Sequence, residues 1–318
     1  MLPGTKRLSE SRLVIGIPTV RRQRDYLLET VDSLIINIPR QARSRVELII
    51  FNADVPPEKH KQVGDLAKRH ITLLKSGFLS ILTNPDGHPE LSKGPLGFAQ
   101  QPTDLRHRAW EAKLTLDAAY LMRHGAGRGD YYLHVEDDFL AADGFYERLV
   151  EWFDQNFAGR GDWGMLSLYA PYELQDCQQY RLEGFVPSPG MLFRSRDLPA
   201  LAEALRSRYQ LLPVDNLIAC LLSEAHRAVY VCVPSLLQNM GVISTCESKV
   251  GLRRSPTFQE PAMRRVAHDL RELVDVLRYR PRRTLHVLCY RVRKPRWLQR
   301  IVDRLFNRVL ALRRRFFQ

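Results

Sequence analysis

The chain opens with apolar runs broken by polar punctuation. Residues 12–20, RLVIGIPTV, form a short continuous apolar run closed by Pro18, the pattern of a buried strand leading into a loop. In residues 24–37, RDYLLETVDSLIIN, apolar side chains fall at Leu27, Leu28, Val31, Leu34 and Ile35, the spacing of one helix face, and Pro39 stops the run. Residues 46–54, VELIIFNAD, give a second buried strand with a polar end. Strand, helix and strand within so few residues predict a βαβ unit and a parallel sheet covered on both faces.

Residues 84–106 are rich in Pro, Gly and polar side chains and predict a long loop of the kind that often carries function. A helix follows at 108–125, with Gly125 as its C-terminal stop. Further on, the pattern predicts a strand at 130–135, a helix at 144–156 and a strand at 163–168. A loop through 183–195, helices near 198–208 and 215–226 and a strand at 228–234 complete the body. The fold class expected is α/β and doubly wound, and ligands of such sheets sit beyond the carboxyl ends of the strands.

That edge is where the sequence is chemically unusual. The strand in DYYLHVEDDF (130–139) runs directly into Glu136, Asp137 and Asp138. Adjacent acids repel unless a cation or water meets them. Hard divalent cations prefer carboxylate oxygens, and Mg²⁺ or Mn²⁺ often bridges from them to a diphosphate. Two readings stand side by side: a metal carrying a nucleotide, or solvated acids capping the helix that starts near Asp143. Side chains alternate along a strand, so one of the three is expected to face away, Asp137 being the least certain ligand.

Charge divides the chain. Of 48 basic and 35 acidic residues, 19 and 5 lie from Leu252 onward, leaving 29 and 30 before it. The net charge of +13 therefore belongs to the tail, which argues against a general nucleic-acid binder and for one polyanion-facing element. Within KPRWLQRIVDRLFNRVLALRRRFFQ, apolar residues Leu298, Ile301, Leu305, Val309, Leu312 and Phe316 recur every three or four positions among arginines. This is a basic amphipathic helix suited to an anionic membrane surface, or to packing on the body or on a second subunit. The domains expected are residues 1–250 and a basic, mainly helical extension over 251–318. Five cysteines without ligand spacing read as free thiols in a reducing compartment. The first residues show no apolar signal segment, and no uninterrupted apolar run is long enough to cross a bilayer. The setting expected is a bacterial cytoplasm, on the inner face of the membrane.

Seven stretches in order resemble the N-acetylglucosaminyltransferase IV family. They are GIPTVRRQRDYLLETVDSLI (16–35), SGFLSIL (76–82), WEAKLTLDAAYLM (110–122), YYLHVEDDFLA (131–141), GMLFRSRDL (190–198), LLPVDNLIACLL (211–222) and PSLLQNMG (234–241). The resemblance implies a GT-A nucleotide-sugar fold and an inverting transferase. It would move N-acetylglucosamine, or a related N-acetylhexosamine, from a UDP-sugar to a glycan or glycolipid, assisted by Mn²⁺ or Mg²⁺. Carried over by residue, Asp138 with Glu136 would hold the cation. Asp215 would be the general base, although an Asp at a helix start is also a common N-cap. Lys113 could neutralise a phosphate or hold Glu136 and Asp137, or pair at i,i+4 with Asp117. Thr19, Val20, Asn52 and Asp54 fall where such folds receive uracil and ribose, against a plain loop. Asn239 stands where the family has a His, so it is a weak ligand or cedes its place to water. Trp110 reads as helix packing rather than a sugar platform, and His134 and His226 as structural. The rivals are a nucleotidyl- or phosphotransferase, which lacks the expected Gly-rich phosphate loop here, and a non-catalytic protein recruited to membranes through the tail.

Overall fold

The computed structural model describes residues 5–92, 102–170, 179–180, 190–241 and 254–259, side chains of 92, 102–106 and 179–180 excepted. The chain divides into two units, 1–272 and 273–318, and all the described residues belong to the first. Of the basic extension expected over 251–318, only 254–259 is described; the amphipathic stretch lies outside the described residues. Residues 254–259 pack on the body: Phe258 is buried, and Thr257 Oγ1 accepts from the Ser235 amide at 3.1 Å.

Strand β1 (Leu13–Thr19), helix α1 (Leu27–Ile36) and strand β2 (Val46–Asn52) form the expected unit, with β1 and β2 parallel. Helices α2 (Lys61–Arg69) and α3 (Ile71–Lys75) lead to β3 (Leu79–Thr83), parallel to β2. Helix α4 (Pro102–Gly125) then leads to β4 (Tyr131–His134), parallel to β1 on its other side. Every residue of β2 is buried, as expected for a strand covered on both faces. Alternation sorts the two layers. Leu13, Ile15 and Ile17 face Leu27, Val31 and Leu34 of α1, whereas Val14, Ile49 and Phe51 face α4. Gly16 is required by this packing, since a Cβ there would meet the buried Tyr132 ring at 2.8 Å and its Oη at 2.3 Å.

The second half of the sheet departs from the expected all-parallel pattern. Helix α5 (Phe145–Asn156) is followed by β6 (Trp163–Ser167), the short β7 (Gln179–Tyr180) and β8 (Met191–Arg194). Then come α6 (Leu198–Arg208), α7 (Val214–Glu224) and β9 (Ala228–Val231). The order is β3-β2-β1-β4-β8-β6-β9-β7, with β8 antiparallel to both β4 and β6 and β7 antiparallel to β9. Residues 191–194 were expected in a loop. They are a central strand instead, because burial between two neighbours stabilises a four-residue run that the Pro and Gly before it conceal. Likewise α4 begins at Pro102, inside the stretch expected as loop. A second sheet pairs β5 (Phe139–Ala141) antiparallel with β10 (Leu237–Asn239). Among the described residues no helix is long and apolar enough to cross a membrane.

Topology gathers the chemistry at one edge. Strands β1, β2, β4, β6 and β9 point the same way, so Thr19, Asn52, Glu136–Asp138 and the residues after β9 share their carboxyl side. Because α7 runs back to the start of β9, its first turn lies at that edge too, and Asp215 with it.

Candidate active site

The site begins where β1 and β4 end. The loop after β1 turns back so that Arg22 reaches the acids after β4. Its Nη2 donates to Asp137 Oδ1, and its Nη1 donates to Asp138 Oδ2 at 3.0 Å. The backbone is pinned on each side of this contact. The Arg22 amide donates to Asp25 Oδ1 at 2.9 Å, and the Arg21 amide donates to Asp54 Oδ2 at 2.9 Å. Asp137 and Asp138 are both buried and both meet Arg22, while Glu136 is the more exposed of the three. β4 stops at His134, so the strict alternation of a strand no longer governs the following residues. Nor do the acids cap the next helix. The N-cap of α5 is Gly144, separated from them by β5.

A second line of hydrogen bonds holds Asp137 from behind. Thr19 Oγ1 donates to Asp137 Oδ2 at 2.6 Å and lies 3.0 Å from His60 Nε2. The single hydroxyl proton goes to the carboxylate, so His60 donates through Nε2. Burial holds the imidazole below its ordinary pKa against the charges of Asp25 and Asp54, which keeps it neutral in this role. Burial pushes the Asp137 carboxyl up to about 6, opposed by Arg22, assisted by the neighbouring Asp138 charge and opposed again by the Thr19 hydroxyl. Burial would lower Arg22, but Asp137, Asp138 and Glu136 around it hold the guanidinium firmly protonated. Glu136 is half-buried.

The second small sheet completes the wall. Pairing of β10 with β5 carries residues 239–241 against the acids, and the Met240 amide donates to the Asp138 carbonyl at 2.9 Å. Gly241 leaves no room for a side chain: a Cβ there would fall 2.0 Å from Asp138 Oδ2. Asn239 Oδ1 accepts from the Gly241 amide at 3.0 Å, leaving one lone pair of that oxygen for another partner.

The residues present suit a hard divalent cation. Asp138 Oδ1 is buried without a hydrogen-bond partner among the described residues, an acceptor that wants a positive charge. The donors are all oxygens, and Gly241 keeps the approach to Asp138 narrow. Among the described residues no cluster of three or more His, Cys, Asp or Glu forms a closed cage. Mg²⁺-type sites need none, taking one or two carboxylates and completing their shell with water and substrate phosphates.

The other expected residues lie around this centre with different occupations. Asn52 is buried, and its amide holds the loop after β2, Nδ2 donating to the Pro57 carbonyl at 2.7 Å and Oδ1 accepting from the Asp54 amide at 3.2 Å. Val20 is half-buried against the α4 layer. Lys113 makes the i,i+4 pair, its Nζ reaching Asp117 Oδ2 at 2.6 Å and the Ala53 carbonyl at 2.9 Å. His88 Nε2 sits 2.7 Å from the other Asp117 oxygen, so Lys113 braces the end of β2 rather than Asp137. Asp215 is the second residue of α7, whose N-cap is Pro213, and its Oδ1 accepts from the Asn216 amide at 2.9 Å. Beside it, α4 and the α6–α7 connection enclose a cleft of about 300 Å³, lined by Arg108, Glu111, Tyr209, Leu211, Leu212 and Pro213 among others. Trp110 stacks on His107 on the same helix, as packing would have it.

Arg22, His60 and Gly241 were not legible as site residues. The only signal for Arg22 was its place in the loop after β1, and an arginine in a loop is usually a solvated charge.

The family model described as the MGAT4 conserved region matches residues 1–257. Alpha-1,3-mannosyl-glycoprotein 4-beta-N-acetylglucosaminyltransferase A of Mus musculus is 25% identical over 275 residues, 80% of this chain and 47% of that protein. The B form of Danio rerio is 28% identical over 210 residues, 65% of this chain and 35% of its own length. The chain thus spans about half or less of the curated relatives it matches. Among solved structures, the mannosyltransferase PcManGT from Pyrobaculum calidifontis, in complex with GDP-Man and Mn²⁺, superposes with a TM-score of 0.45 at 13% identity, over 87% of this chain and 67% of that one. With four-fifths of its length inside the matched region, the chain belongs to the MGAT4 conserved region family.

Proposed function

We propose that this chain is a GT-A-fold glycosyltransferase that transfers N-acetylglucosamine, or a related N-acetylhexosamine, from a UDP-sugar to a glycan acceptor with inversion at the anomeric carbon. One observation carries the reading: in a member of this family, two buried carboxylates, one with an oxygen lacking any partner among the described residues, stand at the carboxyl end of β4. Sheets of this kind receive nucleotides there.

Asp138, with Glu136 and the free lone pair of Asn239, would hold Mn²⁺ or Mg²⁺. The bound cation would neutralise the charge that builds on the departing diphosphate. The loops carrying Thr19, Val20, Asn52 and Asp54 would take uracil and ribose. Asp215 would accept the proton of the acceptor hydroxyl as its oxygen bonds to the anomeric carbon and the bond to UDP breaks. The cleft lined by polar Arg108, Glu111 and Tyr209 and apolar Leu211, Leu212 and Pro213, two residues before Asp215, suits the mixed faces of a sugar. Holding that hydroxyl in line with the anomeric carbon would supply much of the acceleration.

The test is a panel of UDP- and GDP-sugars assayed for hydrolysis and transfer, with Mn²⁺ and with chelator. Asp138→Ala should lose hydrolysis; activity equal to wild type would remove Asp138 from the site. Asp215→Asn should lower transfer by about 10²–10⁴-fold, the usual contribution of a general base, with donor affinity within a few-fold of wild type. Undiminished turnover excludes Asp215, and hydrolysis of a UDP-sugar by the purified protein excludes a non-catalytic binding module.

A further inference from the structure

Two buried acids and one buried base make an incomplete set. Asp137 and Asp138 carry two negative charges, with side chains 2% and 11% exposed; Arg22, 14% exposed, brings one positive charge. The guanidinium does not grip either carboxylate in the parallel two-bond fork that makes an arginine pair permanent. It gives one nitrogen to each acid, and both Arg22 Nε and Asp138 Oδ1 are buried without hydrogen-bond partners among the described residues. A pair built only for stability would satisfy those atoms, because a buried unmet donor or acceptor costs about 1–3 kcal/mol. The backbone around Arg22 is tied at residues 21 and 22 by Asp54 and Asp25, so the long side chain can change partners while the loop stays in place.

We infer that Arg22 is the resident counter-ion of the Asp137–Asp138 pair and competes with the divalent cation for Asp138. Its charge holds the two acids side by side. A cation on the free Asp138 Oδ1 would meet the guanidinium on the other oxygen of the same carboxylate, so the two positive charges oppose each other unless Nη1 withdraws toward Asp137, whose second oxygen Thr19, backed by His60, already fixes. Arg22 therefore sets how tightly the site loads. The inference rests on the proposed metal-assisted reading and adds to it a residue that tunes the affinity. An arginine that merely organised the ligands would act in the opposite direction, since losing it would weaken metal binding.

Direct Mn²⁺ titration of the full chain, by calorimetry or by the electron-spin signal of free Mn²⁺, with and without UDP, separates the two. Arg22→Gln should bind Mn²⁺ at least about tenfold more tightly than wild type, the scale on which groups behind metal ligands act. Its thermal midpoint should fall without Mn²⁺ and rise on adding Mn²⁺ by more than that of wild type. Asp138→Asn should lose the binding in either background. If Arg22→Gln does not fold, Arg22→Lys serves, because a single ammonium nitrogen lacks the separate Nη1 that holds Asp138 while Nη2 holds Asp137; it too should bind more tightly than wild type. Equal or weaker Mn²⁺ binding by these variants, in a wild type that binds Mn²⁺, overturns the inference and leaves the metal reading standing. A wild type that binds no Mn²⁺ even with UDP overturns both, and hydrolysis in chelator then shows whether the transferase reading survives.

Discussion

Glu47 shows how this chain treats a charge it has buried for structure. It sits in the all-buried β2, with Arg12 Nη2 at 3.1 Å, Arg128 Nη2 at 2.5 Å and Ser80 Oγ at 3.2 Å. Every carboxylate oxygen is met, so β2, β3, the start of β1 and the end of α4 are joined through one side chain. Burial would raise its pKa, but the bonds and charge of Arg128, with help from Arg12 and Ser80, bring it below the ordinary value. An acid whose folded pKa is lowered contributes stability that is complete above its unfolded value near 4.3 and is lost as pH falls through the folded one. Glu47→Gln should therefore destabilise the protein by about 1–3 kcal/mol at neutral pH, the arginines being half exposed, and the difference from wild type should shrink below about pH 4. Chemical denaturation of both proteins across pH 3–7 checks this, and a constant gap would refute it. Asp137 differs in kind: its pKa is raised, so its charge is held against the preference of its surroundings, as at sites built to act rather than to brace.

At the scale of elements, helix α5 and the strands beneath it carry stability away from the site. Phe145, Leu149 and Phe153 recur every four residues on its buried face. Phe153 stacks edge-on against Tyr131 at 4.9 Å and Trp163 at 6.0 Å, the first residues of β4 and β6. Phe157 joins them with Tyr230 at 5.1 Å. This cluster lies toward the amino ends of the strands, opposite the acids. Phe153→Ala should cost about 3–5 kcal/mol and lower the thermal midpoint by roughly 10 °C, while donor affinity well below that midpoint stays at the wild-type value. Thermal melts paired with ligand titration test it, and a shifted donor affinity with unchanged stability would contradict the assignment. The ribbon of β5 and β10 works the other way. Besides burying Phe139 and Leu237 in the core, it brings Gly241 to Asp138.

For the whole molecule, the division of charge sets the remaining question. The body is near neutral and the tail from Leu252 carries 19 basic residues against 5 acidic. Each Lys or Arg near an anionic surface contributes about 1 kcal/mol, an attraction screened by salt. The pattern from Leu298 to Phe316 is the basis for proposing that the tail lies on anionic membrane, bringing the site to a lipid-linked or membrane glycan. Chain cut after Arg293 should lose flotation with anionic vesicles that the full chain retains, and the full chain should release as salt rises. Unchanged flotation would end that proposal.

How far the sequence carried the reading depends on the range of the forces involved. Local pattern was enough for β1, α1 and β2, because each buries a run whose period is written in consecutive residues. It was also enough to mark Glu136, Asp137 and Asp138 as unusual, since adjacent like charges declare themselves. β8 was hidden because four residues between a Pro-Gly pair in the sequence and a helix become a strand only when β4 and β6 supply hydrogen bonds on both sides. Arg22 was hidden because it lies more than a hundred positions from the acids it meets. By itself the chain determined its leading secondary structure, its charge division and the place of its acids, all short-range properties of neighbouring side chains. Only the tertiary structure decided that those acids are buried, that an arginine from another loop sits between them and that glycine alone fits beside them, because burial and pairing depend on segments that meet only when the sheet closes.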